Sequence, residues 1–189
     1  MIEIPFYNDF YSIIEPENKD EIIEHCTNAV PLPDQDFVWG EHCISEKVYL
    51  KLTGFSELLK PYIIECLSEV VDIPYGYYLL EVWKNTYHRY YHQEPHYHGG
   101  CELSFVIFLN DYKENDAGFY FVNEKDRVTP DTWSDISHKM SDSKWIEPKR
   151  GDILFFPSHM LHGVSPHKSD TPRVTISGNI ELRDVRDGA

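Results

Sequence analysis

The chain has 189 residues, 41% of them hydrophobic and 14% aromatic, which is enough to bury a core without a disulfide or a structural metal. Its 32 acidic against 17 basic residues give a formal charge of −15, a field that repels phosphate backbones and anionic lipid and so counts against a general nucleic-acid binder. No stretch approaches the run of about 18 apolar residues that crosses a bilayer.

The N-terminal stretch MIEIPFYNDF has neither a basic start nor an apolar run, so a cytoplasmic protein is expected. Ile22, Ile23 and Cys26 at helical spacing predict a short amphipathic helix over 18–29. Turn chemistry follows around Pro31 and Pro33, and residues 46–52 read as a strand or an edge segment. The best helical pattern covers 55–71, where Leu58, Leu59, Ile63, Leu67 and Val70 form one stripe. Pro61 either lies near the start of that helix or marks a kink. The four cysteines, Cys26, Cys43, Cys66 and Cys101, form no C-x-x-C pair and read as reduced thiols.

After Pro74 the texture changes to short runs of Tyr, Val, Ile, Phe and Thr separated by Gly, Pro, Asn and Asp. Strands are predicted near 77–86, 87–92, 95–98, 102–109, 118–123, 152–156, 161–164 and 172–182. Between 123 and 147 lies a polar segment with Trp133 and Trp145, which reads as a lid or substrate wall, or equally as a solvated insertion. Helices followed by many short strands predict an α+β domain, mainly β, whose β part is a barrel or sandwich. One domain is expected over 1–189, with 1–74 as helical support and 75–185 as the β core.

His96 and His98 lie two apart in PHYHGG, and at strand periodicity both imidazoles leave one face. His162 comes far downstream in FFPSHMLHGV, at the end of another strand-like run. Two ligands from one strand and a third from a distant strand make a facial metal site with open positions. Arg173, in TPRVTISGNI, shares a strand face with Thr175 and Ser177. An arginine turned into a barrel is costly unless an anion meets it, and its fork suits a carboxylate, to which Thr175 could add a hydroxyl.

These residues resemble the superfamily of iron(II) oxygenases that consume 2-oxoglutarate, in particular a branch common in phage and marine bacterial sequences. The matching stretches are HYHGGCELSFVIFLN, RGDILFFPSHMLHGV and RVTISGN, in the family's order and spacing across about 80–182. The resemblance implies a double-stranded β-helix of the jelly-roll or cupin-like kind, with N-terminal helices packed on it. It implies iron(II), 2-oxoglutarate and dioxygen as cofactors, and hydroxylation of a C–H bond in a peptide or small molecule with release of succinate and CO2. Carried over by residue, His96 and His162 are metal ligands, Arg173 and Thr175 bind the C5 carboxylate, and Tyr87 assists. The family's usual carboxylate ligand is replaced here by His98, with Glu102 or Glu94 as the alternative source of a carboxylate. Three neutral imidazoles leave such a site short of one negative charge.

A cupin is the main rival. His96, His98 and Glu102 fit its first motif, and Gly151, Pro157 and His162 its second, although His159 stands where that motif wants glycine. The cupin reading gives Arg173 no role. A non-catalytic barrel with a closed metal shell is the third class. Ser158 in FPSHM lacks the G-x-S-x-G setting of a hydrolase nucleophile.

Overall fold

Alternating apolar residues give the central strands two buried faces, one for helices and one for a second sheet. The computed structural model describes residues 9–33, 45–123 and 143–185. In chain order the elements are β1 (Ser12–Ile14), α1 (Lys19–Asn28), β2 (Glu46–Tyr49), α2 (Phe55–Ser68), β3 (Tyr75–Tyr87), β4 (Gln93–His96), β5 (Leu103–Phe108), β6 (Phe119–Val122), β7 (Ser143–Ile146), β8 (Ile153–Pro157), β9 (His162–Val164) and β10 (Arg173–Asp184). A six-stranded sheet runs β1-β8-β5-β10-β3-β2 and a four-stranded sheet runs β4-β9-β6-β7. All pairings are antiparallel, and from β3 to β10 the chain passes back and forth between the sheets, as in a jelly roll.

The alternation reads directly in β5. Leu103, Phe105 and Ile107 face α1 and α2, where Ile22, Phe55, Leu59 and Ile63 cover them. Val106 and Phe108 face inward and meet Phe119, Phe121 and Val164 of the smaller sheet. In β10 the even positions Ile176 and Ile180 join the helical core, while Arg173, Thr175, Ser177 and Asn179 are buried on the other side. The polar residues of RVTISGN are therefore confined to the space between the sheets.

Gly178 belongs to this pattern. A Cβ there would lie 2.5 Å from the Phe105 ring and 2.6 Å from the Glu81 carbonyl oxygen. Gly178→Ala should destabilise the protein by about 1–3 kcal/mol through overpacking, read as a lowered midpoint in urea, and an unchanged midpoint would show that β5 and β10 can part at no cost.

Several elements differ from the sequence expectations. The helix over 55–68 runs through Pro61, and Val70 lies beyond its end at 41% exposure, outside the stripe. The predicted strand over 87–92 is a turn, because Tyr90 takes φ 72° and its N–H is captured by the His167 carbonyl at 2.6 Å. The β propensity of that Tyr-rich run loses to a local reversal. Part of the polar segment 123–147 is strand β7, too short and too charged at its flanks to announce itself. Trp133 and Cys43 lie outside the described residues, whereas Cys26, Cys66 and Cys101 are free thiols. The N-terminal segment is more than helical support, since β1 and β2 form the two edges of the larger sheet. No described helix is long and apolar enough to cross a membrane.

Candidate active site

His96 ends β4 and His162 begins β9, and the two are directly paired across the smaller sheet. His98 lies past the end of β4, so the loop, and not strand alternation, returns its ring to the cluster. Its backbone N–H bonds the Ser158 carbonyl at 2.9 Å, and Gly100 at φ 76° lets the chain turn from there into β5. One ligand atom from each of His96, His98 and His162 lies within 4.8 Å of the others, a group that can hold a metal ion. Their ring centroids are 4.4–5.4 Å apart.

Each imidazole has its Nδ1 occupied by an oxygen. His96 bonds the Glu94 carbonyl at 2.8 Å, His162 bonds the Met160 carbonyl at 2.8 Å, and His98 bonds the Asn179 side-chain oxygen at 2.7 Å. Carbonyl oxygens accept only, so each Nδ1 carries the proton and each Nε2 keeps its lone pair for a metal. Phe119 stacks on the His162 ring at 5.3 Å, and Phe156 meets it edge-on at 4.7 Å.

Burial keeps the rings neutral. It pushes the His98 imidazole down to about 4, with the neighbouring His96 and Lys47 adding to the effect and the Asn179 bond opposing it. Burial likewise lowers His96, and it holds His162 well below the usual range with help from the other two rings. The unfolded chain protonates these groups near 6.5, so it binds more protons than the native protein below that pH. Their contribution to stability is full above 6.5 and is lost as the pH falls toward about 4. Urea midpoints of the metal-free protein should therefore drop steadily from about pH 7 to about pH 4, and less steeply once His98 is replaced by Asn.

The cavity beside the histidines is lined on the β3–β10 side by Trp83, Asn85, Tyr87, Arg173, Thr175 and Ser177, and has about 400 Å³ of empty space including its mouth. Arg173 is 4% exposed, and neither terminal guanidinium nitrogen has a hydrogen-bond partner among the described residues. Its guanidinium carbon lies 5.3 Å from the Phe108 ring centre and 5.7 Å from that of Tyr87. Burial lowers its proton affinity, opposed by Tyr87, Asp116 and Tyr112. A buried cation with two unused donor nitrogens, in a cavity that Asn85, Thr175 and Ser177 also line, is chemically matched to a carboxylate. Tyr87 stands opposite Arg173 in the β3–β10 ladder and donates its hydroxyl to Gln93 at 2.9 Å, while Thr175 is buried two residues along the same face.

Glu102 does not join the group. It is exposed, and its carboxylate accepts the Leu182 N–H at 2.8 Å. Glu94 is exposed too and lends only its backbone carbonyl to His96. Among the described residues no carboxylate stands with the three imidazoles. Asn179 and Ser104, which bond His98, and Gln93, which holds Tyr87, went unassigned in the sequence reading. Asn179 was within reach, since it continues the parity of Arg173, Thr175 and Ser177.

Residues 81–179 match the sequence model of the family described as "Putative 2OG-Fe(II) oxygenase", a span that contains all three histidines and Arg173. The chain belongs to the 2OG-Fe(II) oxygenase family. Iron(II), 2-oxoglutarate and dioxygen are thus the cofactors of this oxygenase. Several solved structures share the fold. HygX from Streptomyces hygroscopicus, determined with nickel, 2-oxoglutarate and hygromycin B bound, aligns with a TM-score of 0.60 at 12% identity, over 90% of this chain and 82% of its own. The non-heme alpha ketoglutarate dependent epimerase SnoN from nogalamycin biosynthesis gives 0.61 at 13% identity, over 94% and 79%. The viral collagen prolyl hydroxylase vCPH from Paramecium Bursaria Chlorella virus-1, solved as its 2OG complex, gives 0.59 at 14% identity, over 90% and 94%. No curated protein sequence matches the oxygenase.

Proposed function

We propose that this oxygenase is a hydroxylase in which His96, His98 and His162 hold iron(II), while Arg173, aided by Thr175 and Tyr87, binds the C5 carboxylate of 2-oxoglutarate. The observation that carries the cosubstrate assignment is the buried Arg173, whose two terminal nitrogens have no hydrogen-bond partner among the described residues, in the same cavity as the histidines. A cupin or an inert metal barrel leaves that buried cation without a purpose. Iron(II) held there would supply redox chemistry in which dioxygen gives one oxygen atom to 2-oxoglutarate, yielding succinate and CO2, and the other to a substrate C–H bond.

The chain's own residues supply placement. Arg173 anchors the far end of the cosubstrate and so directs its other end toward the imidazoles. The Nδ1 bonds hold the three Nε2 lone pairs convergent, and Phe119 and Phe156 exclude water from the back of His162. The substrate reading is a small molecule or a peptide side chain. HygX, crystallised with hygromycin B, and vCPH, a collagen prolyl hydroxylase, represent those two kinds among proteins of this fold. The charge of −15 weighs against nucleic acid.

Succinate release with iron(II) and 2-oxoglutarate tests the assignment, with and without panels of prolyl peptides and of small molecules that include hygromycin B. Turnover raised by one panel, with a product heavier by one oxygen, is the expected result. Turnover with a product of unchanged mass would replace hydroxylation by epimerisation or another oxidation.

A further inference from the structure

The three histidines are not held alike. His96 and His162 are pinned by backbone carbonyls, but His98 is pinned only by side chains. Asn179 accepts from His98 Nδ1 at 2.7 Å, and its own Nδ2 donates to Glu81 Oε1 at 2.7 Å. Glu81 and Asn179 stand opposite each other in the β3–β10 ladder. A second arm supports the same oxygen: Ser104 donates to Asn179 Oδ1 at 3.0 Å, Ser158 contacts Ser104 at 2.8 Å, and the Cys101 thiol donates to Ser158 at 3.2 Å.

The directions of these bonds follow from chemistry. A carboxylate only accepts, so the Asn179 amide must turn its NH2 to Glu81 and its oxygen to His98. That oxygen also only accepts, so His98 must carry its proton on Nδ1 and leave Nε2 bare. A single acidic group outside the cluster therefore fixes the tautomer of the one imidazole that stands where a carboxylate ligand is expected.

We propose that Glu81 and Asn179 are positioning residues that act as a relay, fixing His98 as the Nδ1–H tautomer and supplying, from behind the ligand, negative charge that a carboxylate ligand would have brought. The inference rests on the iron assignment proposed above. The relay polarises His98 toward a metal as a carboxylate behind a metal-bound histidine does, with one amide interposed. It leaves His96 and His162 untouched.

The test uses the full chain with 15N-labelled histidine. In the metal-free protein His98 should show the Nδ1–H tautomer, as should His96 and His162. Asn179→Ala should turn His98 alone into a tautomer mixture and weaken iron(II) binding about ten- to a hundred-fold. Glu81→Gln, at a partly exposed site and with an acceptor oxygen retained, should keep the tautomer and still weaken iron(II), by less than Asn179→Ala. If Asn179→Ala does not fold, Glu81→Gln and the parent tautomer decide the matter. A parent His98 protonated on Nε2, or unchanged tautomer and affinity in Asn179→Ala, would overturn the relay. Unchanged iron(II) affinity in Glu81→Gln would overturn the charge-supplying role. A parent that binds no iron(II) would instead overturn the metal assignment, while the tautomer of the metal-free protein still decides the relay.

Discussion

Arg173→Leu should make the metal-free protein more stable and at the same time abolish useful binding of 2-oxoglutarate. The two effects have one cause. Without cosubstrate, the guanidinium is a charge buried at 4% exposure, and among the described residues both terminal nitrogens lack a hydrogen-bond partner. Replacing even a buried ion pair by apolar residues of similar volume is often neutral or stabilising by about 1–4 kcal/mol. Here no paired charge among the described residues offsets the desolvation of the guanidinium, and the Phe108 and Tyr87 rings offer a leucine packing partners. With cosubstrate, the same guanidinium forms a desolvated pair whose loss costs about 2 kcal/mol or more, or roughly thirty-fold in affinity. Thermal melting with and without 2-oxoglutarate reads both at once. The parent should be shifted upward by the ligand; the variant should start higher and not move. A variant that starts lower and still responds would show that Arg173 is a structural residue with a partner in solution.

The second large effect separates two buried histidines. His162→Ala should lose iron(II) affinity by more than about a hundred-fold with a smaller loss of stability than His167→Ala. Among the described residues its ring makes one hydrogen bond, to the Met160 carbonyl, beside its contacts with Phe119 and Phe156. His167→Ala should do the reverse. His167 is fully buried, and both of its nitrogens are used by the backbone, Nδ1 accepting from Ala117 N at 3.0 Å and Nε2 donating to the Thr171 carbonyl at 2.8 Å. Removing it strands both groups, at about 1–3 kcal/mol each, and leaves the cluster intact. Calorimetric iron titration and urea unfolding of both variants give a two-by-two result. If His162→Ala binds iron(II) like the parent, the cluster is not the metal site.

Much of this was legible in the sequence because the relevant patterns have short periods. The β10 run RVTISGN alternates strictly, so the burial of Arg173 and Thr175 on one face could be read from spacing, and the register with β3 places them so. The pairing of His96 with His162 could not be read. It depends on which strands of the smaller sheet are neighbours, and the chain between them includes β5 and β8 of the other sheet. The convergence of His98 was expected for the wrong reason, since strand alternation ends at His96 and His98 is placed from the loop, its backbone N–H bonded to the Ser158 carbonyl. Glu102 had the right parity for a ligand and the wrong place, because it sits at the rim where β5 begins and is used by Leu182. The Glu81–Asn179 link joins residues 98 apart in sequence, and no local pattern announces such a contact.

The most direct measurement is an anaerobic titration of the iron(II)-loaded protein with 2-oxoglutarate, followed by the weak visible metal-to-ligand charge-transfer band. The histidine and arginine assignments together predict that the band grows and saturates in the parent and stays absent in Arg173→Leu at the same concentrations. Iron(II) that binds without any band would contradict them and favour a three-histidine metal protein that uses no 2-oxoglutarate.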